Sequence, residues 1–440
     1  MDKRIYRVLA YAGIESIVYQ SMLFVHQIML FRTLSTHLYG QIGILFSTVF
    51  LAVLYLNAGL DISLATLFQQ AKQSKQHFYH LIIKQIYCNA LFAIGALCIG
   101  YLIASSYITA FNSIYTFLLC AVLVIIESTK KTIKQVLHLS FFQRSVALTE
   151  IATLFLYVII VWSFLLSGYT ASITLVFIPF ICISSVATLL YVHNLHTHYQ
   201  TLINSNEPYH INWAHIVTMR FKNYIYQISH SLYSGNFLVP IIAAQYGFEL
   251  AALLKVISMS AYSINSIIQH AFGITSNVFF AHMKNMHLIH KKEFFSKISP
   301  YIYHTLFVIG LMMFLHHRYI QFLDPNLCSD HIYIIYLFLL IIFSENIALT
   351  HEHFFIIEER TNLLIACNIG LLIPLLITQY ALVSCSLFTL LCSLLCIRAL
   401  SFLCISLYSW YAWKIRMSLG VKPLYLSASA ALALICFLLS

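Results

Sequence analysis

Long apolar runs alternate with short polar segments along almost the whole chain. The runs are 17 to 26 residues long, which suits an α-helix that crosses the ~30 Å hydrocarbon core of a bilayer. The pattern predicts twelve membrane-spanning helices and a last apolar stretch, 424–440, that either spans or lies at the interface. The predicted helices cover residues 8–31, 39–60, 81–104, 107–127, 145–167, 170–193, 223–246, 249–273, 298–316, 331–347, 362–380 and 382–407.

The composition agrees with a protein that lies mostly in lipid. Of the 440 residues 61% are hydrophobic and only 9% are charged, with a mean hydropathy of +0.85. A soluble domain carries about 25% charged residues, so this chain cannot cover a water-facing surface. The composition therefore excludes a soluble catalytic domain, a nucleic-acid-binding domain and a secreted disulfide scaffold. The expected fold class is an all-α polytopic membrane protein.

The basic residues predict the orientation of the chain in the membrane. With the N-terminus in the cytoplasm, the inner segments hold 20 Lys and Arg residues, among them Lys130, Lys131 and Lys134. The outer loops hold two, Arg32 and Arg318. An excess of this size on one side follows the positive-inside rule. It explains the net charge of +10 without a nucleic-acid partner.

The two halves of the chain look like copies of one six-helix unit. At an offset of 207, Tyr39-Gly40 falls on Tyr246-Gly247, and each pair is predicted to begin a short outer turn. After the second helix of each half, similar linkers begin at Phe68 and Phe279, at an offset of 211. Because each unit has six crossings, both copies face the same way, and the predicted architecture is two parallel six-helix lobes around a central cavity.

This repeat divides the chain into four parts. We expect an N-terminal lobe at 1–193, a cytoplasmic inter-lobe linker at 194–222 and a C-terminal lobe at 223–408. Residues 409–440 are expected to form a cytoplasmic turn and a terminal apolar helix.

Polar residues form stripes on the first helix of each half. On the first, Ser16, Gln20 and Gln27 share one stripe and Glu15 lies on a neighbouring one, and the seventh helix has an equivalent polar face. One interpretation is that both helices line a shared polar cavity, and the other is hydrogen bonding between packed helices. The substrate-cavity candidates are Glu15, Gln20, Gln27, Arg32, Gln227, Ser231, Ser234, Asn236 and Lys255.

Three of these positions, and two further ones in the seventh helix, suggest particular roles. Lys255 and Arg32 would supply charge-assisted hydrogen bonds to a phosphate-bearing substrate. The alternative is that the amine of Lys255 and the guanidinium of Arg32 reach the lipid headgroups. Glu15 is the candidate for binding a coupling ion, with His26 or Lys255 as the alternative structural partner. In the seventh helix, Gly235 and Pro240 form a candidate hinge.

Several kinds of chemistry have no support in the sequence. The chain has no phosphate-binding loop of the Gly-x-x-x-x-Gly-Lys-Ser/Thr type. Its 21 histidines and 11 cysteines do not show metal-ligand spacing. We therefore expect a protein that is not an enzyme and that has no catalytic residues, no metal site and no cofactor.

The stretch from Arg32 through Leu34, Tyr39 and Gly40, followed by Gly59-Leu60, resembles a known family pattern. It is similar to the oligosaccharide-lipid flippases (O-antigen and polysaccharide transporters) of the multidrug/oligosaccharidyl-lipid/polysaccharide exporter (MOP) superfamily. The chain departs from that pattern by having Thr36-His37 where the family usually has Gly-Pro, and by having few cavity arginines.

The resemblance implies a two-lobed, multi-pass protein of a bacterial inner membrane, here expected to be monomeric. Such proteins move an undecaprenyl-pyrophosphate-linked oligosaccharide across the cytoplasmic membrane by alternating access, for polysaccharide, lipopolysaccharide or O-antigen biosynthesis. Their cavity is often cationic, which by position carries onto Arg32 and Lys255. The expected partners are this lipid-linked glycan and membrane lipid. The alternative is a proton- or sodium-coupled multidrug exporter of the same superfamily that uses Glu15.

Overall fold

The computed structural model is helical throughout the part of the chain that it describes. The described residues are 3–57, 59–60, 63–64, 80–91, 94–95, 113–200, 213–231, 234–259, 361–367 and 387–413, with single positions at 334, 337, 338, 341, 352, 355 and 370.

Six helices of the first half agree with the predicted order. They are α1 (Lys3–Thr33), α2 (Thr36–Leu56), α3 (80–91), α4 (Ile114–Leu139), α5 (Gln143–Leu166) and α6 (Ile173–Gln200). α2 begins at an N-cap, where the Ser35 hydroxyl accepts a hydrogen bond from the backbone N–H of Leu38 at 3.3 Å.

The second half begins with a divided helix. A continuous helix over 223–246 is predicted, but α7 (Trp213–Ser231) and α8 (Gly235–Tyr246) are separate. Ser234 caps α8 in an extended conformation, with ψ of 147°, and this interrupts the helical hydrogen bonding. The helix break therefore lies beside Gly235, whereas Pro240 lies inside α8. Their role as a hinge stays a prediction.

The rest of the second half is described in parts. Residues 248–259 form α9, 361–367 are helical, and α10 (Leu387–Trp413) takes the place of the predicted helix 382–407. The predicted helix 298–316 and the terminal stretch 424–440 lie outside the described residues, as does most of 331–347 and 362–380.

The turns before α2 and α9 correct the register of the repeat. Gly40 lies inside α2, and the turn before that helix is formed by Leu34 and Ser35. Gly247, by contrast, lies between α8 and α9, with φ of +93°. The Tyr-Gly match at an offset of 207 is therefore not a structural equivalence. α2 begins at residue 36 and α9 at residue 248, an offset of 212, close to the 211 of the linkers.

The distribution of polar and apolar side chains confirms a membrane protein. Four described helices are long and apolar enough to cross a bilayer: Ala10–Thr33, Thr36–Leu56, Gln143–Leu166 and Ile173–Thr197. On α5, Leu148 and Phe155 are exposed, whereas Glu150 on the same helix is buried. A water-soluble protein buries its apolar side chains and exposes its carboxylates. The reversal is what lipid as solvent requires.

The chain divides into two compact units. The first comprises 1–256 and 270–283, and the second comprises 257–269 and 284–440. In the first unit, α1 packs against α5, α4 against α6, and α2 against α4 and α8. The lobe boundaries expected from the repeat are not the same quantity as the limits of these compact units. The expected lobes therefore stay a prediction. Helical structure does reach into both ends of the expected 194–222 linker, as far as Gln200 and from Trp213.

Candidate functional site

Five charged side chains form a buried cluster inside the first unit. The Lys134 ammonium on α4 lies 2.7 Å from Glu15 Oε1 on α1 and 3.4 Å from Glu150 Oε1 on α5. Lys130, one turn earlier on α4, lies 3.5 Å from Glu150 Oε2 and 3.5 Å from Glu127 Oε1. These five residues are named the ion cluster. It joins α1, α4 and α5 through contacts between oppositely charged side chains.

Hydroxyl groups of α6 complete the ion cluster. Ser184 Oγ donates to Glu127 Oε1 at 2.6 Å, and the Tyr191 hydroxyl donates to Glu150 Oε1 at 2.9 Å. Two of the three carboxylates are therefore held by α6 as well as by lysine. Hydrogen bonds of this kind are needed where buried charges have lost their water.

The ion cluster contains more acid than base. Three carboxylates face two ammonium groups, and the side chains of Glu15 and Glu150 are only 2% and 4% exposed. A buried charge costs several kcal/mol unless a partner compensates it. With all five groups ionised the cluster carries one net negative charge. This arrangement can therefore accept one proton or one monovalent cation at low electrostatic cost.

The ion cluster corrects two predictions. Lys130 and Lys134 were expected in an inner loop after a helix that ends at 127, but α4 continues to Leu139, which buries Lys130 and leaves Lys134 half-buried. Their neighbouring carboxylates make this burial tolerable. The structural alternative for Glu15 was a pairing with His26 or Lys255, whereas in the structure Lys134 donates a hydrogen bond to it.

Sequence reasoning missed four of the five residues in the ion cluster. Glu127, Lys130 and Lys134 recur at intervals of three and four residues, which places them on one face of a helix. That spacing was a detectable signal for a charged face directed into the protein. Glu150 has no such local signal, because its partners come from another helix.

His26 has a separate partner on α5. The Trp162 Nε1–H donates to His26 Nδ1 at 3.1 Å, and the His26 ring meets Tyr157 edge-on with ring centroids 5.1 Å apart. His26 is buried. This contact adds a neutral link between α1 and α5 beside the ionic ones.

A second group of candidates lies where α2 meets α7, α8 and α9. The Lys255 ammonium on α9 donates to Ser47 Oγ on α2 at 2.8 Å and to Asn236 Oδ1 on α8 at 3.2 Å. The stem of Lys255 lies against Gly43, where a Cβ would be 3.1 Å from the lysine Cγ. Lys255 therefore joins three helices, as a buried cation in hydrogen-bond contact with neutral oxygens.

The same contact surface continues toward both ends of α2. Near its start, a Cβ on Gly40 would lie 2.3 Å from the backbone oxygen of Phe248. Beyond its end, Asn223 Nδ2 on α7 donates to Ser63 Oγ at 2.9 Å. We name this surface the α2 seam, defined as the contacts of α2 and the residues just after it with α7, α8 and α9.

The remaining candidates occupy varied positions. Ser231 is buried, and its hydroxyl lies 2.8 Å from that of Tyr55. Ser234 Oγ donates to the Ser231 backbone oxygen at 2.7 Å. Gln227 is buried, Gln20 is half-buried and Arg32 is exposed.

The predicted cavity residues therefore do not form one group. Gln27 is half-buried, and its Oε1 accepts a hydrogen bond from the Tyr39 hydroxyl at 2.8 Å. Glu15 belongs to the ion cluster, whereas Ser231, Asn236 and Lys255 belong to the α2 seam. Among the described residues, no three His, Cys, Asp or Glu side chains are grouped so that they could hold a metal ion.

No family model matches the sequence, and no curated protein matches it either. Solved structures do match. The eukaryotic MATE transporter AtDTX14 has a TM-score of 0.71 at 14% identity, over 98% of this chain and 99% of its own. A mutant of the Vibrio cholerae MATE transporter VcmN has a TM-score of 0.53 at 11% identity, over 94% and 98%. An outward-facing multidrug resistance MATE family transporter of the MOP superfamily has a TM-score of 0.53 at 12% identity, over 94% and 98%.

These matches extend over nearly the full length of the chain and of its structural neighbours. At such low identity they establish the fold and not the substrate. The neighbours are transporters, which is consistent with a protein that is not an enzyme. The chain is an all-α polytopic membrane protein with the fold of the MATE transporters of the MOP superfamily.

Proposed function

We propose that the protein is an ion-coupled exporter of small organic cations that works by alternating access. The observation that carries this proposal is the ion cluster, with three buried carboxylates against two ammonium groups. Ionisable groups inside membrane helices are costly and mark ion or proton pathways. The likeness to a multidrug resistance MATE family transporter supports drug export.

Glu15 is the proposed coupling carboxylate. It is the member of the ion cluster on α1, and its carboxylate meets the cluster through Lys134 of α4. Binding of a proton or a sodium ion at Glu15 removes the net negative charge of the cluster. The packing of α1 against its neighbours then responds to the ion, which is what coupling requires.

The polar residues outside the ion cluster are the proposed substrate contacts. They lie on or beside the helices that the repeat is predicted to place around a cavity. The neutral ones, proposed to contact the organic cation, are Gln20, Gln27, Gln227, Ser231, Ser234 and Asn236, whereas Arg32 and Lys255 suit the phosphate-bearing substrate considered next. The break between α7 and α8 is the proposed hinge, with Gly235 at the break and Pro240 one turn and a half later. Motion there would expose these contacts to either side in turn.

A second candidate function is supported by Lys255. A buried ammonium suits a phosphate-bearing substrate better than a cationic drug, because a positive charge repels organic cations. The candidate is the translocation of an undecaprenyl-pyrophosphate-linked oligosaccharide across a bacterial inner membrane, by a monomer with a cytoplasmic N-terminus. The motif around Arg32 and Tyr39-Gly40 supports the same interpretation.

Transport by the purified protein in liposomes distinguishes the two candidates. One set of liposomes receives a fluorescent organic cation and the other a fluorescent pyrophosphate-linked lipid glycan, each with an imposed proton or sodium gradient. We expect gradient-driven movement of the organic cation, and we expect Glu15→Gln to abolish it. The exposed Glu249 gives a matched control, because Glu249→Gln removes a carboxylate outside the ion cluster. Gradient-independent movement of the glycan alone would instead favour the flippase.

A further inference from the structure

The ammonium group of Lys134 contacts carboxylates from two different helices. Its ammonium lies 2.7 Å from Glu15 on α1 and 3.4 Å from Glu150 on α5. The shorter distance is a charge-assisted hydrogen bond, and the longer one is an ion pair outside hydrogen-bond distance. In this structure, therefore, Lys134 is engaged with Glu15 while Glu150 lies within reach.

The other contacts of the ion cluster do not involve Lys134. Glu150 is held by Lys130 and by the hydroxyl of Tyr191, and Glu127 is held by Lys130 and Ser184. These contacts join α4, α5 and α6 to one another independently of Lys134. The contact between Lys134 and Glu15 adds α1 to them.

We propose that Lys134 is the positioning residue that converts protonation of Glu15 into movement of α1. When a proton binds Glu15 and forms its O–H bond, the carboxyl group loses its charge. Lys134 then moves toward Glu150, which remains ionised, and the link between α4 and α1 weakens. When Glu15 releases the proton to the other side of the membrane, Lys134 returns. Lys134 keeps its own three protons throughout, so one proton crosses in each cycle.

The surroundings of Glu15 support this exchange. Among the described residues, Lys134 of α4, Glu150 of α5 and Tyr191 of α6 interact electrostatically with Glu15. Lys130 and Glu127 join the ion cluster through Glu150. Protonation of Glu15 takes the net charge of the ion cluster from −1 to zero, so the buried charge is reduced at the step that releases α1. The inference rests on the proposed ion-coupled function.

The test measures uphill transport of the organic cation and proton flux in the same liposomes. We expect Lys134→Met to lower gradient-driven accumulation at least tenfold and to flatten its pH dependence, while downhill movement of the substrate continues. Lys134→Arg, which keeps the charge and the donors, should retain most of the coupling. Lys131→Met, on the same helix, is the matched control. Uphill accumulation and a pH profile unchanged in Lys134→Met would overturn the inference.

A spin-label measurement covers the case in which Lys134→Met does not fold. Labels are placed on the exposed Ile17 of α1 and the exposed Val122 of α4. Glu15→Gln, which mimics the protonated acid, should shift the distance between the labels in the same direction as acidic pH does in the otherwise unaltered protein. An unchanged distance would overturn the inference.

The two hypotheses fail in different ways. If the unaltered protein accumulates organic cation without any ion gradient, the proposed function is wrong. If Glu15→Gln uncouples transport and Lys134→Met does not, the proposed function stands and only the role of Lys134 is wrong.

Discussion

The ion cluster and the α2 seam compensate their buried polar groups in different ways. The ion cluster binds α1, α4 and α5 through ionised side chains at 2.7 to 3.5 Å. In the α2 seam, the contacts are hydrogen bonds to neutral oxygens, such as Lys255 to Ser47, and the close backbone approach at Gly40. Attraction between opposite charges falls off slowly with distance, whereas neutral hydrogen bonds and van der Waals contacts are lost within an ångström or two.

This difference fits two mechanical roles. The helices α4 and α5 stay associated when the ion cluster rearranges, because Lys134 can exchange the carboxylate of Glu15 for that of Glu150 without leaving the cluster. Helices held by neutral contacts separate at a smaller electrostatic cost. We therefore expect the α2 seam to be the surface that opens during transport, and we expect the ion cluster to control that opening from within the first-half helices.

The largest effect is expected from breaking the ion cluster at its centre. Glu150→Gln removes the carboxylate that both lysines share, so Lys130 and Lys134 each lose one charged partner inside the protein. Removal of one partner from a buried ion pair costs about 3–5 kcal/mol. Thermal unfolding in detergent should show a large loss of stability or a failure to fold. Glu249→Gln, at an exposed carboxylate, should leave the melting temperature unchanged; equal melting temperatures for both variants would contradict the structural role of the cluster.

A smaller effect is expected from overfilling the α2 seam. Gly40→Ala places a methyl group 2.3 Å from the backbone oxygen of Phe248, so α2 and α9 must move apart at that end. Overpacking of this kind costs about 1–3 kcal/mol. The variant should make a cysteine introduced at the half-buried Phe248 position, across the seam from Gly40, more reactive toward a membrane-impermeant thiol reagent.

Gly13 supplies the control for that substitution. A Cβ at Gly13 of α1 would meet nothing within 4 Å, so Gly13→Ala should be neutral or slightly stabilising. Similar thiol reactivity in Gly40→Ala and in the parent protein would mean that the α2 seam tolerates the methyl group without opening.

The smallest effect is expected where a neutral contact lies beside the ion cluster. Trp162→Phe removes the N–H that donates to His26 Nδ1 and keeps most of the ring. A neutral hydrogen bond contributes about 0.5–1.5 kcal/mol. The variant should lower the melting temperature slightly and leave ion-driven transport intact. A loss of coupling as complete as that expected for Glu15→Gln would place His26 in the coupling pathway.

Part of the candidate site was accessible from the sequence. Glu15 stood out because a carboxylate within an apolar run has no inexpensive position in lipid. Lys255 stood out for the same reason, and in the structure it is buried. The partner of Glu15 was not accessible, because Lys134 is 119 residues away and no local pattern joins them.

The predicted ends of two helices differ from the observed ones for a related reason, which is that hydropathy uses only local sequence. The helix expected at 107–127 lies at Ile114–Leu139, because charges that hydropathy assigns to a loop are compensated across helices. The helix expected at 223–246 is divided near Ser234, where the backbone is extended. Both differences depend on contacts or conformations that a hydropathy window does not represent.

Hydropathy, charge asymmetry and internal similarity are properties of the chain itself, and they were sufficient to predict an all-α polytopic membrane protein. They suffice because a bilayer imposes one simple rule, that every spanning segment must be apolar and must satisfy its own backbone. The pairing of buried charges, the register of the two halves and the separation of the ion cluster from the α2 seam required the tertiary structure. Electrostatic compensation depends on distances between side chains, and only folding brings together groups that are far apart along the chain.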